Sequence, residues 1–446
     1  MKIETLKKSY LKRNIIIGVV AVLIISAVIL NFTRAKYKVT QSIPLVNGTI
    51  NYIPYDFKMI AMYQENDNGE YENIDIMPNS GYIIDELQSY CTVDGKNKDE
   101  NARLYTNTSG EHVISNLQKG SKCYLYFDKY RQPTLQDIIL SNATTIITRS
   151  SFSSTISNSS TGTIYYEDTN IGRTYYFAGN PTDNWVKFAN YYWRIIRINE
   201  DGTIRMIYQG INNSTEGEDT IAFESAFNSS AYLTSKNMFV GFMYGSNSNN
   251  YELTHKNLND STIKKELDTW YQNHLVSYDS KIDVNNGFCG DRTPSTSSSE
   301  INESGGTGNI STYYAAYIRL YGTNNNEPTF ECKNSNDLYT TKQSTYGNKS
   351  LTYPIGLVSA DEAWFAGGYK LDNNNYYLYT GKYYYTISPS QCGSAYTGVI
   401  IINGSGKVET NWVHGKMGVR PVINLKSDVT ISSGDGTSTN PYVISD

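Results

Sequence analysis

Basic clusters, histidines and hydrolytic signatures are what this chain has least of. Its 38 Lys and Arg residues form no stripe beyond the N-terminal head, and the net charge is -5. A nucleic-acid partner is excluded on that ground, because phosphate binding needs a basic surface that releases counterions. The chain has no Gly-x-Ser-x-Gly, no His-Glu-x-x-His, no phosphate-cradling loop and no dinucleotide fingerprint. Four histidines in 446 residues leave little for general-base or metal chemistry. Cysteine is scarce as well. None of the five lies near the N-terminal apolar run, so lipoprotein processing there is excluded. The ending TNPYVISD has no hydrophobic tail or basic stop, so a sortase-type wall signal is not expected, and a pilin-type leader is missing too.

One long apolar run is present, IIIGVVAVLIISAVILNF at 15–32. A helix of that length reaches roughly 27 Å, close to the hydrocarbon thickness of a bilayer. The preceding head, 1–14, holds Lys2, Lys7, Lys8, Lys12 and Arg13 against Glu4. The positive-inside bias keeps it cytoplasmic, although Arg34, Lys36 and Lys38 follow the span. The expectation is a plasma-membrane protein, single-pass, with its C-terminal bulk extracellular. A signal-anchor is preferred to a cleaved peptide, since Thr33-Arg34-Ala35 is a poor cleavage site.

The exported part is long enough for two or three domains with real cores. Its 40 tyrosines fit an AT-rich genome, and equally a surface of amphipathic rings suited to adhesion. In an oxidising exterior the cysteines invite pairing by proximity: Cys91 with Cys123, Cys289 with Cys332, leaving Cys392 single. By loop closure each bridge would stabilise by roughly 3–4 kcal/mol.

The fold class expected is α+β: the transmembrane helix, a small β-sandwich-like domain and a larger mixed β-rich domain. The small domain spans 37–128, with strand-like runs at 57–64, 81–93 and 122–128. In the last run Cys123, Leu125 and Phe127 share one face, and Tyr124 and Tyr126 the other. A short helix capped by Thr134 and a Ser/Thr-rich linker occupy 129–162. The surface domain runs from 163 to 446. IIRINEDGTIRMIY at 195–208 reads as a hairpin, with Gly202 supplying the positive φ. Ser261 caps a helix whose apolar face is Ile263, Leu267, Trp270 and Leu275. Strands are expected at 376–381, 383–388, 398–404 and in the tail 418–431. Mixed strands, few helices and long polar loops suit such a domain.

The stretch 189–446 resembles domains of unknown function in exported or membrane-anchored proteins of low-GC Gram-positive bacteria. The residues that carry it are WRIIRINEDGTIRMIY at 193–208, LDTWYQNHL at 267–275, FCGDR at 288–292, and IRLYG with FEC at 318–332. YPIGLVSADEAWFAGG at 353–368, TISPS at 386–390 and GVRPVINLKSDVTI at 418–431 complete the set. The ending is also similar to the C-terminal half of C-type-lectin-like modules. The resemblance implies an exported surface domain and, at its end, a C-type-lectin-like fold. It transfers no catalytic role.

Individual residues leave the chemistry open. Cys289 would need a base from His255, His274 or His414 to act as a nucleophile, and a disulfide is favoured. Asp361 and Glu362 are adjacent, so a helix-capping role is favoured over an acid/base pair. Loops around Asp183-Asn184, 372–375 and Asp435 offer oxygens for calcium without EF-hand spacing. Arg420, before Pro421, is expected to anchor to a carboxylate. No catalytic, metal or cofactor residue is assigned. The preferred reading is a membrane-anchored cell-surface adhesion protein, partnered by the membrane through 15–32 and by a glycan or surface protein through the distal domain. An exported envelope-acting enzyme and a structural envelope component are the alternatives.

Overall fold

The computed structural model describes residues 58–445 except 79, 94, 157–160, 296–306, 309–310, 323–325 and 345–346. The span expected at 15–32 lies outside them. Among the described residues no helix is long and apolar enough to cross a membrane. They form a β-rich structure with few helices, in two compact units divided between Gln132 and Pro133.

The first unit is built on a six-stranded sheet. Lys58–Glu65 runs parallel to Lys122–Lys129, which also pairs with Tyr82–Ile84 and Tyr90–Val93. Strand alternation puts Cys123, Leu125 and Phe127 in a core with Met62 and Ile84. The hairpin Arg103–Thr106/His112–Ser115 adds Leu104 and Ile114 to it. The expected single run at 81–93 is two strands. Asp85 breaks it, its carboxylate accepting from the amides of Leu87 and Gln88. Cys91 and Cys123 are directly paired across adjacent strands and bridged, with α-carbons 4.0 Å apart.

The second unit holds a nine-stranded and a six-stranded sheet around one core. In the nine-stranded sheet Tyr191–Ile198 is central, flanked by Trp185–Phe188, Gly172–Tyr176 and Ile204–Gly210. Its hairpin turns where Gly202 adopts φ +83°. The six-stranded sheet carries Phe223–Ala226, Lys416–Val419, Tyr384–Cys392, Thr397–Ile402 and Val408–Trp412 in order. Tyr384–Cys392 and Thr397–Ile402 are buried throughout, which explains their near-continuous apolar and small-residue sequences. The segment 376–381, expected as a strand, is a turn instead. Tyr376, Tyr377 and Leu378 are buried there, so apolar character without pairing misled the pattern.

Arg420-Pro421 carries the chain from one sheet to the other. Lys416–Val419 belongs to the six-stranded sheet and Val422–Leu425 to the nine-stranded one, where it pairs with Ile204–Gly210. Proline has no amide proton to donate at that step. Arg420 is fully buried and donates to the carbonyls of Tyr208 and Leu378, to Tyr384 Oη and to Gln209 Oε1. The expected carboxylate anchor is therefore replaced by neutral acceptors from three segments that the guanidinium draws together.

Three helices start as their caps dictate. Thr134 and Asp137 form a capping box on Leu135–Asn142, whose Leu135 and Ile139 enter the main core. Ser261 caps Thr262–His274, which buries Ile263, Leu267 and Trp270. Ser359 and Glu362 form the box on Ala360–Phe365. Part of the segment read by composition as a linker is laid against this last helix. Arg149 donates to the Phe365 carbonyl, and Trp364 Nε1 to the Phe152 carbonyl. Those contacts use backbone carbonyls at both ends, which composition does not register.

Candidate binding surface

Most residues with chemical potential are committed to structure. Cys289 and Cys332 are bridged, with α-carbons 5.7 Å apart. Cys392, expected in a loop, ends a buried strand; burial pushes its thiol pKa up, and its Sγ lies 3.5 Å from Thr397 Oγ1. Asp361 accepts twice from Arg319 at 2.7 Å and once from the Thr329 amide. Arg319 also meets Asp291 at 2.8 Å. Glu362 accepts from the Ser359 amide and lies 2.5 Å from Arg205 Nε. Of the two adjacent carboxylates, Glu362 closes the capping box and pairs with buried Arg205, while Asp361, in the same first turn, pairs with half-buried Arg319.

The histidines are separated. His112 bridges Thr106 Oγ1 and the Pro78 carbonyl in the first unit. His255 is buried with Nε2 3.0 Å from the Gly308 carbonyl; burial, aided by the Arg292 guanidinium, pulls its pKa down to about 3. His274 meets the Tyr191 hydroxyl at 2.8 Å. Among the described residues no histidine is hydrogen-bonded to Asp361, Glu362 or Cys392. No group of three or more His, Cys, Asp or Glu side chains gathers there as a metal site either. Of the loops weighed for calcium, Asp183 accepts from the Gly162 amide, Asp372 from Ser405 and Asp435 from the Thr437 amide.

A different feature stands out on the six-stranded sheet. Four rings make a continuous stripe: Tyr396, Trp412, His414 and Tyr232. Successive centroids lie 6.2, 5.2 and 5.5 Å apart. Trp412 is 51% exposed and Tyr232 65%, with Leu233 beside it at 85%. Folded surfaces carry single apolar residues routinely, but a run of adjoining ones marks an interaction site.

Local structure explains how the stripe is presented. Trp412 is the last residue of its strand, opposite Gly398, and buried Val413 follows it. Strand alternation thereby turns Trp412 and His414 away from the core. The Tyr385 hydroxyl lies 2.6 Å from the Gly415 carbonyl and 3.0 Å from that of Trp412, sharing its one proton across the turn between them. Gln391 Nε2 donates to the Tyr396 hydroxyl. On the other side the Val413 carbonyl accepts from the Asn228 amide, and the Asn228 side chain caps the short turn Ser229–Ala231. The chain then passes through Tyr232 to Leu233, which sits at φ +58°. A β-carbon in that left-handed region costs roughly 1–2 kcal/mol. Leu233 bears that cost while holding an apolar side chain in water, an arrangement that packing does not explain.

Residues 227–238, 391–398 and 411–418, which supply the stripe, contain Lys236 and Lys416 but no Asp or Glu, while exposed Glu224 lies on the strand paired with Lys416. Of the stripe's members only His414 had been singled out from sequence. Trp412 was hidden in a run of ordinary strand residues and Tyr396 in the short connection before Thr397–Ile402, and the one available signal was the alternation Trp412-Val413-His414. No family model, curated protein or solved structure matches this chain.

Proposed function

We propose that this chain is a membrane-anchored cell-surface protein whose distal unit binds a ligand presented outside the cell. The observation that carries the reading is the stripe Tyr396–Trp412–His414–Tyr232, in which Trp412 and Tyr232 are exposed and Tyr396 and His414 half-buried. Rings of this kind supply large contact area at low entropic cost, which is why they dominate binding hot spots. Two disulfides, Cys91–Cys123 and Cys289–Cys332, suit an oxidising exterior. The apolar run at 15–32 supplies the single-pass anchor, with the basic head inside. In this reading the first unit is a sandwich-like spacer. The distal unit is the exported domain of low-GC Gram-positive bacteria that its sequence resembles, with a C-type-lectin-like end.

Two measurements test it. Fractionation of cells expressing the full chain should place it with the membranes, and surface proteolysis should remove the distal unit. Recovery in the soluble fraction would end the anchor. Binding of the full chain to arrays of glycans, wall polymers and matrix proteins should be lost in Trp412→Ala. Absence of binding to every class would end the adhesion reading.

A further inference from the structure

We propose that the outer face of the first unit's six-stranded sheet packs against the same face of a second copy of this chain. The two sheets run antiparallel about a two-fold axis. This contact is separate from the ligand surface above and does not rest on it.

Among the described residues the first unit has one apolar core, on one side of this sheet. Strand alternation sends Lys122, Tyr124, Tyr126 and Asp128 of the central strand to the other side. Residues paired directly across strands share a face, so the register supplies the rest. Tyr90 stands beside Tyr124, Tyr63 beside Tyr126, Lys58 beside Lys122 and exposed Ile83 beside Asp128. Tyr63 and Tyr126 stack at 4.7 Å, Tyr90 and Tyr124 at 4.9 Å, and Tyr71 meets Tyr126 edge-on at 5.2 Å. Half-buried tyrosines across several strands give an apolar surface with polar tips, the composition that interface centres favour.

Charge selects the occupant. One end of the face is basic: Lys58 pairs with Lys122, and exposed Lys98 lies opposite Thr92, the other neighbour of Lys122. The opposite end, about 20 Å along the strand, is acidic. Asp128 stands there with Glu65, which follows the Phe127 partner Gln64, and with Asp85, whose amide meets the Tyr126 carbonyl. Glu65 already holds Arg131 at 2.7 Å. Among the described residues Asp85, Asp128 and the three lysines are in no ion pair, so both ends keep uncompensated charge.

Turning a second copy over about an axis that crosses the strands at Leu125 lays each strand on its equivalent, reversed. Lys122 then meets the second copy's Asp128, Lys58 meets its Glu65, and Lys98 comes over its Ile83 and Asp85. Tyr124 falls on the second copy's Tyr126. Ala61, level with Tyr124, faces its Tyr63, level with Tyr126. One operation thus matches opposite charges on each strand and sets a small residue against a large one, as an isologous contact requires. An axis along the strands would instead put lysines on lysines. The face offers on the order of 400 Å² per copy, the size of a weak, reversible contact.

The test uses the full chain in detergent micelles, followed by sedimentation velocity across a micromolar concentration range. The chain should pass from monomer to dimer as concentration rises, and added salt should weaken the dimer. Asp128→Lys and Lys122→Asp should each weaken self-association at least about 10-fold, because the axis repeats the reversed contact. Mixed in equal amounts, the two variants should pair with each other at close to the parental affinity, since every lysine again meets a carboxylate. Different fluorophores on the two chains report that heterodimer. Circular dichroism shows whether each variant folds, and Lys58→Glu with Glu65→Lys form a second couple if Asp128→Lys does not. Lys265→Glu, exposed on a helix of the second unit, should leave association unchanged. A monomer at every concentration overturns the inference. So does association that survives both single reversals, because another surface then causes it. A mixture that pairs no better than either variant alone overturns it as well.

Discussion

Removing the Arg420 guanidinium should unlock the step between the two large sheets. The side chain is fully buried, with Nε 3.0 Å from the Tyr208 carbonyl, Nη1 3.1 Å from that of Leu378 and 3.2 Å from Tyr384 Oη, and Nη2 2.6 Å from Gln209 Oε1. Hydrogen bonds from a charged donor contribute about 1.5–3 kcal/mol each, so four give roughly 6–12 kcal/mol gross. Against that stands a desolvation penalty of several kcal/mol for the ion, which methionine would not bear. The net loss in Arg420→Met is then about 3–5 kcal/mol, most of it from acceptors left unpaired in the core. For a unit of this size that is a fall in Tm of roughly 6–15 °C. Arg420→Lys should recover little of it, because an ammonium cannot reach four acceptors with a planar fork. Calorimetry of the full chain measures the shift, and hydrogen exchange locates it. Amides of Lys416–Val419 and Val422–Leu425 should lose protection before those of Tyr191–Ile198. A Tm within about 2 °C of the parent, with protection unchanged, would refute the argument that this arginine ties the sheets together.

Glu362→Ala should cost about 3–5 kcal/mol in thermal or denaturant unfolding, since it removes the cap of Ala360–Phe365 and strands the buried Arg205; a surface-like loss under 1 kcal/mol would contradict the buried pair. Cys91→Ser/Cys123→Ser should destabilise the first unit by roughly 3–4 kcal/mol, read by urea titration of its own transition. Cys392 should resist maleimide in the native chain and react once denatured, because it is buried and its thiol is pushed up; rapid native labelling would contradict that placement. The distal unit should lose stability as pH falls below about 6.5, where unfolded His255 takes up a proton that the folded residue refuses until about pH 3. Since the folded pKa is the lower one, the loss grows on acidification and levels off below it; His255→Gln should flatten that part of the pH–Tm curve.

Features that depend on a few neighbouring residues were legible in the sequence. Ser261 with the apolar stripe Ile263, Leu267 and Trp270, Thr134 before its short helix, and Gly202 between two β-rich runs each act within one or two turns of chain. The facing alternation in Lys122–Lys129 likewise follows from the pleat, and it separates Cys123, Leu125 and Phe127 from the tyrosines between them. Tertiary structure decided what spans distance. Apolar residues 376–381 looked like a strand, yet they turn inside the core, because burial does not require a pairing partner. Arg420 met a carbonyl, a hydroxyl and an amide oxygen from residues more than 35 positions away in sequence, not the carboxylate its charge suggested. Asp361 and Glu362 read in sequence as a helix-capping acidic turn, and their division between Arg319 and Arg205 is set by the direction each leaves the helix. The ring stripe is the clearest case. Tyr232, Tyr396 and Trp412 come from two connections and a strand end that share no local pattern, and only the pairing of Val408–Trp412 with Thr397–Ile402, and of Asn228 with Val413, brings them side by side. A side chain's periodicity says which face it occupies; which other chain segment shares that face is set by the sheet.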